Sequence, residues 1–423
     1  MNAARGAAAA AALALGLPLV AWPATFALAT RLPEYVHLVK ARPGAAAAAA
    51  AAAALPTAAA GLGLAHGYGC GLLSSSAAAA ATFAAAWLYA ATRLVDARPP
   101  VPPYTSMLPA QASPRLAVVT GATSGIGAAS VNVLARAGLR VIFTTRSEER
   151  GARLAVPGSV TYCVVDPNEL AQVAAFADAV VAASRGERAP LLSDEAASWL
   201  VDAGGVHILV NNAGFFPRPA PLTGDGLEPG FQVMHLSHHL LTKRLAPVLK
   251  ACQGRVINVA SEGHHFATPR TPGEPTSVFA PERIAAPTKS SLLSYGHNKL
   301  ANILHTRYLR DDGIAAFALH PGAVVTSIWT FPYALGFLGA PVRAIQRVVF
   351  DATASLVMKT AEEGVSTVVY LALAPLDHLD SDLYWINLAG ADATMASPLA
   401  RSADLARHLA ELSDILLAER GLE

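Results

Sequence analysis

The run LAVVT at residues 116–120, leading directly into TGATSGIG at 120–127, constrains this chain more than any other stretch. An apolar, β-branched run of that length reads as a buried strand. Gly121, Gly125 and Gly127 then let the backbone turn tightly, and a helical stretch continues to about Ala137. The alternation repeats downstream. Strands are expected at RVIFTT (140–145), VTYCVV (160–165), VHILVNN (206–212), RVINVA (255–260), IAAFALH (314–320) and LYWIN (383–387). Helices over roughly 169–184 and 293–311 fall between them. Strands that alternate with helices require crossover connections, and those produce a parallel sheet covered on both faces. The fold class is therefore α/β, a Rossmann-type doubly wound parallel sheet over 115–423, with ligands expected outside the carboxyl ends of the strands.

The chain ahead of this domain has a different character. Residues 7–30 and 43–92 carry no charge and are dominated by alanine. Each run is long enough to cross a bilayer as a helix, and the second is long enough for two passes with a break near HGYGCG (66–71). Arg5 and Arg31 bracket the first run, and Trp22, Trp87 and Tyr89 suit membrane interfaces. Residues 1–95 are thus expected to be an alanine-rich membrane segment of two or three spans, and 96–114 a stiff proline-rich linker. Two other readings stand beside this one. Arg5, the apolar run and the small residues at Ala27–Ala29 also suit a cleaved targeting segment. Alanine is a weak membrane residue, and Pro18, Pro23 and Pro56 interrupt the runs, which suits a soluble low-complexity tract. The 31 basic and 30 acidic residues nearly cancel, so nothing in the charge balance favours nucleic acid as a partner. Cys70, Cys163 and Cys252 are too widely spaced for a CxxC pair or a disulfide framework.

The glycine loop has a chemical use beyond turning. Backbone without Cβ atoms can approach a pyrophosphate, and the following helix offers free N–H groups at its positive end. The spacing is G-x3-G-x-G, and taken alone such a turn after a strand is often only a turn. The second strand ends in Thr144-Thr145-Arg146, with no acidic residue to bind the adenosine ribose hydroxyls. Arg146 can instead pair with a phosphate, which favours NADP(H); the plain alternative is a solvated arginine ahead of SEER. SYGHNKLAN (294–302) places Tyr295 and Lys299 one helical turn apart on a single face. A phenol ordinarily titrates near 10, and an adjacent ammonium lowers that value toward the range useful for general acid–base work.

These residues together carry a resemblance. TGATSGIG, Asp166 after the third strand, NNAG (211–214), Ser261 after the fifth, YGHNK (295–299) and HPGAVVT (320–326) resemble the short-chain dehydrogenase/reductase superfamily. VINVASEGHH, YGHNKLANIL and HPGAVVTS are most similar to its retinol-dehydrogenase-like branch, and the likeness spans roughly 114–420. It implies that Tyr295 exchanges a proton with the substrate oxygen and that Ser261 hydrogen-bonds that oxygen. Lys299 would tune the phenol and hold the nicotinamide ribose. Gly121, Ser124, Gly125, Ile126 and Gly127 would cradle the cofactor phosphates, and Asp166 would meet the adenine. Asn212, Ala213 and Gly214 would line the cofactor, with Thr326 near the carboxamide. Each has a structural alternative: a turn at Asp166 in DPN, strand-end hydrogen bonding at Asn211 and Asn212, a cap at Ser261. Relatives often carry an N-terminal membrane anchor, which implies an endoplasmic reticulum or other endomembrane location with the catalytic domain facing the cytosol.

Three departures qualify the likeness. Met234, in MHLSHHLLT (234–242), stands where the family places a fourth catalytic residue, an asparagine that supports a proton relay. DPN replaces the usual D-L-[AS], and an extended proline-rich insert covers 264–292, as a cover over the site, a membrane contact or a disordered excursion. His235, His238, His239, His264 and His265 lack the carboxylate or cysteine partners of a metal site, so no metal is expected and packing or a polar lining is. Residues 327–358 are rich in aromatic and aliphatic side chains, as an apolar substrate wall would be, or a cover over the core, or the surface of a homo-oligomer. The expected function is a membrane-associated NADP(H)-dependent oxidoreductase interconverting a lipophilic alcohol and its aldehyde or ketone, of retinoid, sterol, polyprenol or fatty aldehyde class. The alternatives are a catalytically impaired, cofactor-binding sensor or scaffold, and a soluble enzyme with a cleaved leader.

Overall fold

The computed structural model of the chain describes residues 115–324, 359–379, 382–390 and 395–423. Apart from 359–360 these belong to one unit, drawn from Val101–Trp329 and Ala361–Glu423. The expected membrane segment (1–95), the linker (96–114), Thr326 and the apolar stretch 327–358 lie outside the described residues. Among the described residues no helix is long and apolar enough to cross a membrane.

The strands are β1 (Leu116–Val119), β2 (Arg140–Thr145), β3 (Val160–Val164), β4 (Ile208–Asn211), β5 (Arg255–Val259), β6 (Ala315–His320), β7 (Tyr384–Ile386) and β8 (Ala389–Gly390). They form one sheet in the order β3-β2-β1-β4-β5-β6-β7-β8, parallel through β7, with β8 antiparallel at the edge. The chain order reverses between β1 and β4, which is the switch point where such sheets bind ligands.

Alternate strand residues feed two separate cores, as the period of two requires. Leu116, Val118, Ile142, Leu209 and Val256 pack on one face, against α3 (Leu170–Ser184), α4 (Asp194–Ala203), α5 (Ser237–Ala251), α6 (Ser291–Asp311) and α8 (Ala403–Ala418). Ala117, Val119, Phe143, Val210 and Ile257 pack on the other, against α1 (Gly125–Arg136) and α7 (Ser366–Leu373). A shorter helix, α2 (Glu148–Leu154), follows β2, with the Ser147 side chain capping the Arg150 amide. Full burial on both faces explains the near-continuous apolar strands.

Residues 264–292 are not a disordered excursion. They fold into short helical turns, Pro275–Phe279 and Pro281–Ile284, with Val278, Phe279 and Ile284 buried. Arg283 fastens the segment, donating to the carbonyl of Thr268 at 2.7 Å and to His297 Nε2 at 2.8 Å.

Candidate active site

The loop after β1 and the loop after β4 are built into one another. Gly121 sits at φ +64°, and a Cβ placed there would lie 2.6 Å from Ala213 Cα. A Cβ at Gly127 would lie 2.5 Å from Asn212 Nδ2. Asn212 Nδ2 in turn donates to the carbonyls of Thr120 (2.9 Å) and Gly121 (3.1 Å). The glycines are therefore required by the neighbouring loop as well as by any ligand. Gly121→Ala meets both a left-handed backbone and a backbone clash, and we expect a loss of about 2–3 kcal/mol in urea unfolding.

Ser124 precedes α1 in extended conformation, and its side chain caps no amide. The first turn of α1 carries no acidic residue, so no carboxylate of that turn competes with a phosphate for its N–H groups. A cavity of about 250 Å³ opens there, lined by Gly121, Ser124, Arg146, Arg150, Ala213 and Gly214 among others. Missing Cβ atoms, free helix amides and two guanidinium groups fit a dinucleotide. Asp166 is not on this lining; its neighbours Val165, Pro167 and Asn168 are. The Asp166 carboxylate accepts from Asn168 N (3.0 Å) and Nδ2 (2.9 Å), so the turn expected of DPN is present. Gly125, Ile126 and Gly127 belong to the first residues of α1, behind the lining residues Thr123 and Ser124.

Ser261, Tyr295 and Lys299 come together past the end of β5, outside that cavity's lining. Ser290 caps α6, and the helix carries Tyr295 and Lys299 on one face, with Lys299 Nζ 5.7 Å from the Tyr295 ring centroid. Ser261 is extended and accepts from Gly263 N at 3.1 Å, so it is a turn cap as well as a candidate catalytic group. Gly263 is what admits the tyrosine: a Cβ there would lie 2.7 Å from Tyr295 Cε1. Phe216 covers the tyrosine ring at a centroid distance of 5.3 Å.

The electrostatics differ from the sequence expectation. Burial pushes the Tyr295 phenol up, with a hydrogen bond to Ser261 acting in the opposite direction. Burial pushes the Lys299 ammonium down to about 8. Nζ donates to the Val259 carbonyl at 2.7 Å, beside Asn302 Nδ2 on the same oxygen at 3.1 Å. Desolvation thus outweighs the Ser261 hydrogen bond, and the phenol is raised where the sequence led one to expect it lowered.

The serine turn is held from the far end of the chain. His264 Nδ1 donates to the Ser261 carbonyl (2.8 Å), and its Nε2 accepts from Ser397 N (3.1 Å). Tyr384 OH donates to Glu262 Oε1 at 2.8 Å. Glu262, His264 and His265 are the described residues whose metal-binding atoms approach one another within 4.8 Å. The carboxylate partner that the sequence did not show for these histidines is thus present in Glu262, but both ring nitrogens of His264 are already committed to backbone, so the group reads as a clamp. Met234 lies fully buried in a π-helical turn (Gln232–Leu236), its sulfur 3.3 Å from where a Cβ of Gly214 would stand.

Sequence reasoning missed Arg150, Gly263, Phe216 and the linking role of Thr120. Arg150 carried a signal: it is a second arginine four residues after Arg146. Nothing local distinguished the others.

A doubly wound sheet with a glycine-lined cleft at its switch point and a serine–tyrosine–lysine group beside it defines a dinucleotide-dependent oxidoreductase. The family model for short chain dehydrogenase matches residues 115–273. WW domain-containing oxidoreductase of Homo sapiens is 31% identical over 325 residues, covering 72% of this chain and 69% of that protein. Retinol dehydrogenase 12 of Homo sapiens is 30% identical over 319 residues, covering 72% and 87%. Retinol dehydrogenase 11 of Mus musculus is 29% identical over 304 residues, covering 67% and 84%. A crystal structure of an uncharacterized protein from Mycobacterium Paratuberculosis aligns with 74% of this chain and 97% of its own, at 27% identity and TM-score 0.49. The chain belongs to the short-chain dehydrogenase/reductase family, in its retinol-dehydrogenase-like branch.

Proposed function

We propose that this oxidoreductase uses NADP(H) and interconverts a lipophilic alcohol with its aldehyde or ketone. The observation that carries the reading is the convergence of Ser261, Tyr295 and Lys299 beside the dinucleotide-shaped cleft, with Arg146 and Arg150 on the cleft wall. A bound nicotinamide supplies or accepts hydride. Tyr295 gives or takes the proton at the substrate oxygen, and the Ser261 hydroxyl hydrogen-bonds that oxygen as charge develops. Lys299 holds the nicotinamide ribose, and Gly121, Ser124 and the first amides of α1 hold the phosphates. The turn built by Asp166, whose neighbours Val165, Pro167 and Asn168 line the cavity, borders the adenine, Asn212 to Gly214 follow the cofactor, and Thr326 meets its carboxamide.

Arg146 and Arg150 select the phosphorylated nucleotide. Hydrogen bonds to a charged group are worth about 1.5–3 kcal/mol, so Arg146→Asp and Arg150→Asp should each weaken NADPH binding about tenfold or more and leave NADH binding near its original value. Equal affinities for the two nucleotides in the parent protein would remove this assignment.

The lipophilic substrate is supported by the relatives named retinol dehydrogenases and by the apolar composition of 327–358. The uncharged runs in 1–95 support residence in an endomembrane, with the catalytic domain in the cytosol. One observation favours a second reading, a cofactor-binding sensor: buried Met234 offers no polar side chain beside Gly214 and Lys299. NADPH oxidation over a panel of retinoid, sterol, polyprenol and fatty aldehydes decides between them. Turnover supports the enzyme; nucleotide binding without turnover on any of them supports the sensor.

A further inference from the structure

We propose that His238 is a positioning residue that locks the cofactor-binding loops to the helical turn carrying Met234, an inference that rests on the dinucleotide reading of the cleft. The imidazole is 3% exposed and borders the cavity together with Thr120, Gly121, Ala213 and Gly214. Its hydrogen bonds admit one arrangement of protons. Nδ1 stands 3.1 Å from the Met234 carbonyl, which can only accept, so Nδ1 carries the proton. Nε2 is then a bare lone pair, and Thr120 Oγ1, 2.9 Å away, must donate its single proton to it. That leaves the two lone pairs of the Thr120 oxygen for the amides of Asn212 and Ala213, each at 2.9 Å. Every donor and acceptor is used once.

The consequence is directional. Without the imidazole, the other acceptor within reach of the Thr120 proton is the Val210 carbonyl, at a longer 3.4 Å. His238 thus sets which way the Thr120 oxygen presents its lone pairs, and through them where the amides of Asn212 and Ala213 lie. Asn212 passes the constraint to the glycine loop by gripping the carbonyls of Thr120 and Gly121. At its other nitrogen His238 fixes the turn that seats Met234 against Gly214, close to Lys299 Nζ. The chain requires a neutral ring here, because a second ring proton would be a third donor to a Thr120 oxygen whose two lone pairs already take the Asn212 and Ala213 amides. Burial agrees, pushing the imidazole down to about 3. Loss of a buried network member costs more than its single bonds, since the remaining groups are left unpaired.

The test is equilibrium NADPH binding by the full chain, measured with its unfolding temperature. His238→Phe keeps the ring volume and loses both bonds; we expect about tenfold weaker NADPH binding. His238→Gln places an amide oxygen near the Nε2 position and should recover most of that affinity. Thr120→Val removes the hydroxyl and should weaken binding to a similar degree, and it carries the test should His238→Phe fail to fold. In the double variant the two losses should not add. NADPH binding within twofold of the parent in His238→Phe or Thr120→Val overturns the inference while the dinucleotide reading survives. Equal affinity loss in His238→Gln and His238→Phe, each matched by the fall in unfolding temperature, also overturns it by reducing the residue to packing. Failure of the parent protein to bind either NADPH or NADH overturns the dinucleotide reading, and the inference with it.

Discussion

Tyr295→Phe should reduce turnover about 10²–10⁴-fold while nucleotide affinity stays near that of the parent protein. The substitution removes one oxygen and keeps the ring. The ring is the part packed against Gly263 and Phe216, so the local structure has no reason to collapse. The lost oxygen is the one that faces Ser261 and would carry the proton. The measurement is NADPH consumption with a productive aldehyde, beside an equilibrium titration of the nucleotide; unchanged consumption would remove Tyr295 from the chemistry. The ionisations also give reduction a direction in pH. Burial raises the phenol, so it stays protonated, the form that donates to a nascent alkoxide, throughout neutral pH. Lys299 loses its charge as pH rises through about 8, and carbonyl reduction should decline over the same range.

Acid should unfold this domain steeply between pH 6.5 and 5, and His305→Phe should blunt the effect. Burial holds His235 and His305 well below the ordinary imidazole value, and takes His238 to about 3 and His264 and His297 to about 4. In the unfolded chain each takes a proton below about 6.5, so the unfolded state gains ground as pH falls. At pH 5 each such imidazole costs about 2 kcal/mol relative to neutral pH. Several together approach the whole stability of a typical domain, roughly 5–15 kcal/mol. His305 tests the mechanism cleanly. Its ring packs against His235 and His239 at 5.8 and 5.3 Å, and its buried Nε2 has no hydrogen-bond partner among the described residues. His238, Asp414, Lys243 and Tyr308 are further titratable groups around this cluster. Phenylalanine fills the space and cannot titrate. His305→Phe should add about 2 kcal/mol at pH 5 and little at pH 8 in urea unfolding. An equal gain at both values would make the effect packing alone.

Much of the sheet was legible because buried parallel strands leave apolar, β-branched runs between turn signals. β1, β2 and β6 match the expected runs to within a residue at either end. The edge hairpin from β7 to β8 was not. It turns through Asn387 (φ 51°) and Leu388 (φ 65°), and a leucine in the left-handed region gives none of the warning that glycine would. α7 was equally hidden: STVVYLAL is apolar nearly all round, so no helical period distinguishes it from a strand. In the site, the Tyr295–Lys299 pairing followed from helix geometry. The sign of their ionisation did not, because desolvation depends on neighbours contributed by other elements. Thr120 resembled any strand-end threonine until four groups from distant segments met at its hydroxyl.

The anchoring of the serine turn sets an order of assembly. Glu262 waits for Tyr384, 122 residues later, and His264 for Ser397, 133 residues later. The residues that line the glycine cleft fall within 120–241, while the reactive corner must wait for residues 384 and 397 to leave the ribosome. A nascent chain would thus carry the whole lining of its cleft before it could brace the serine turn.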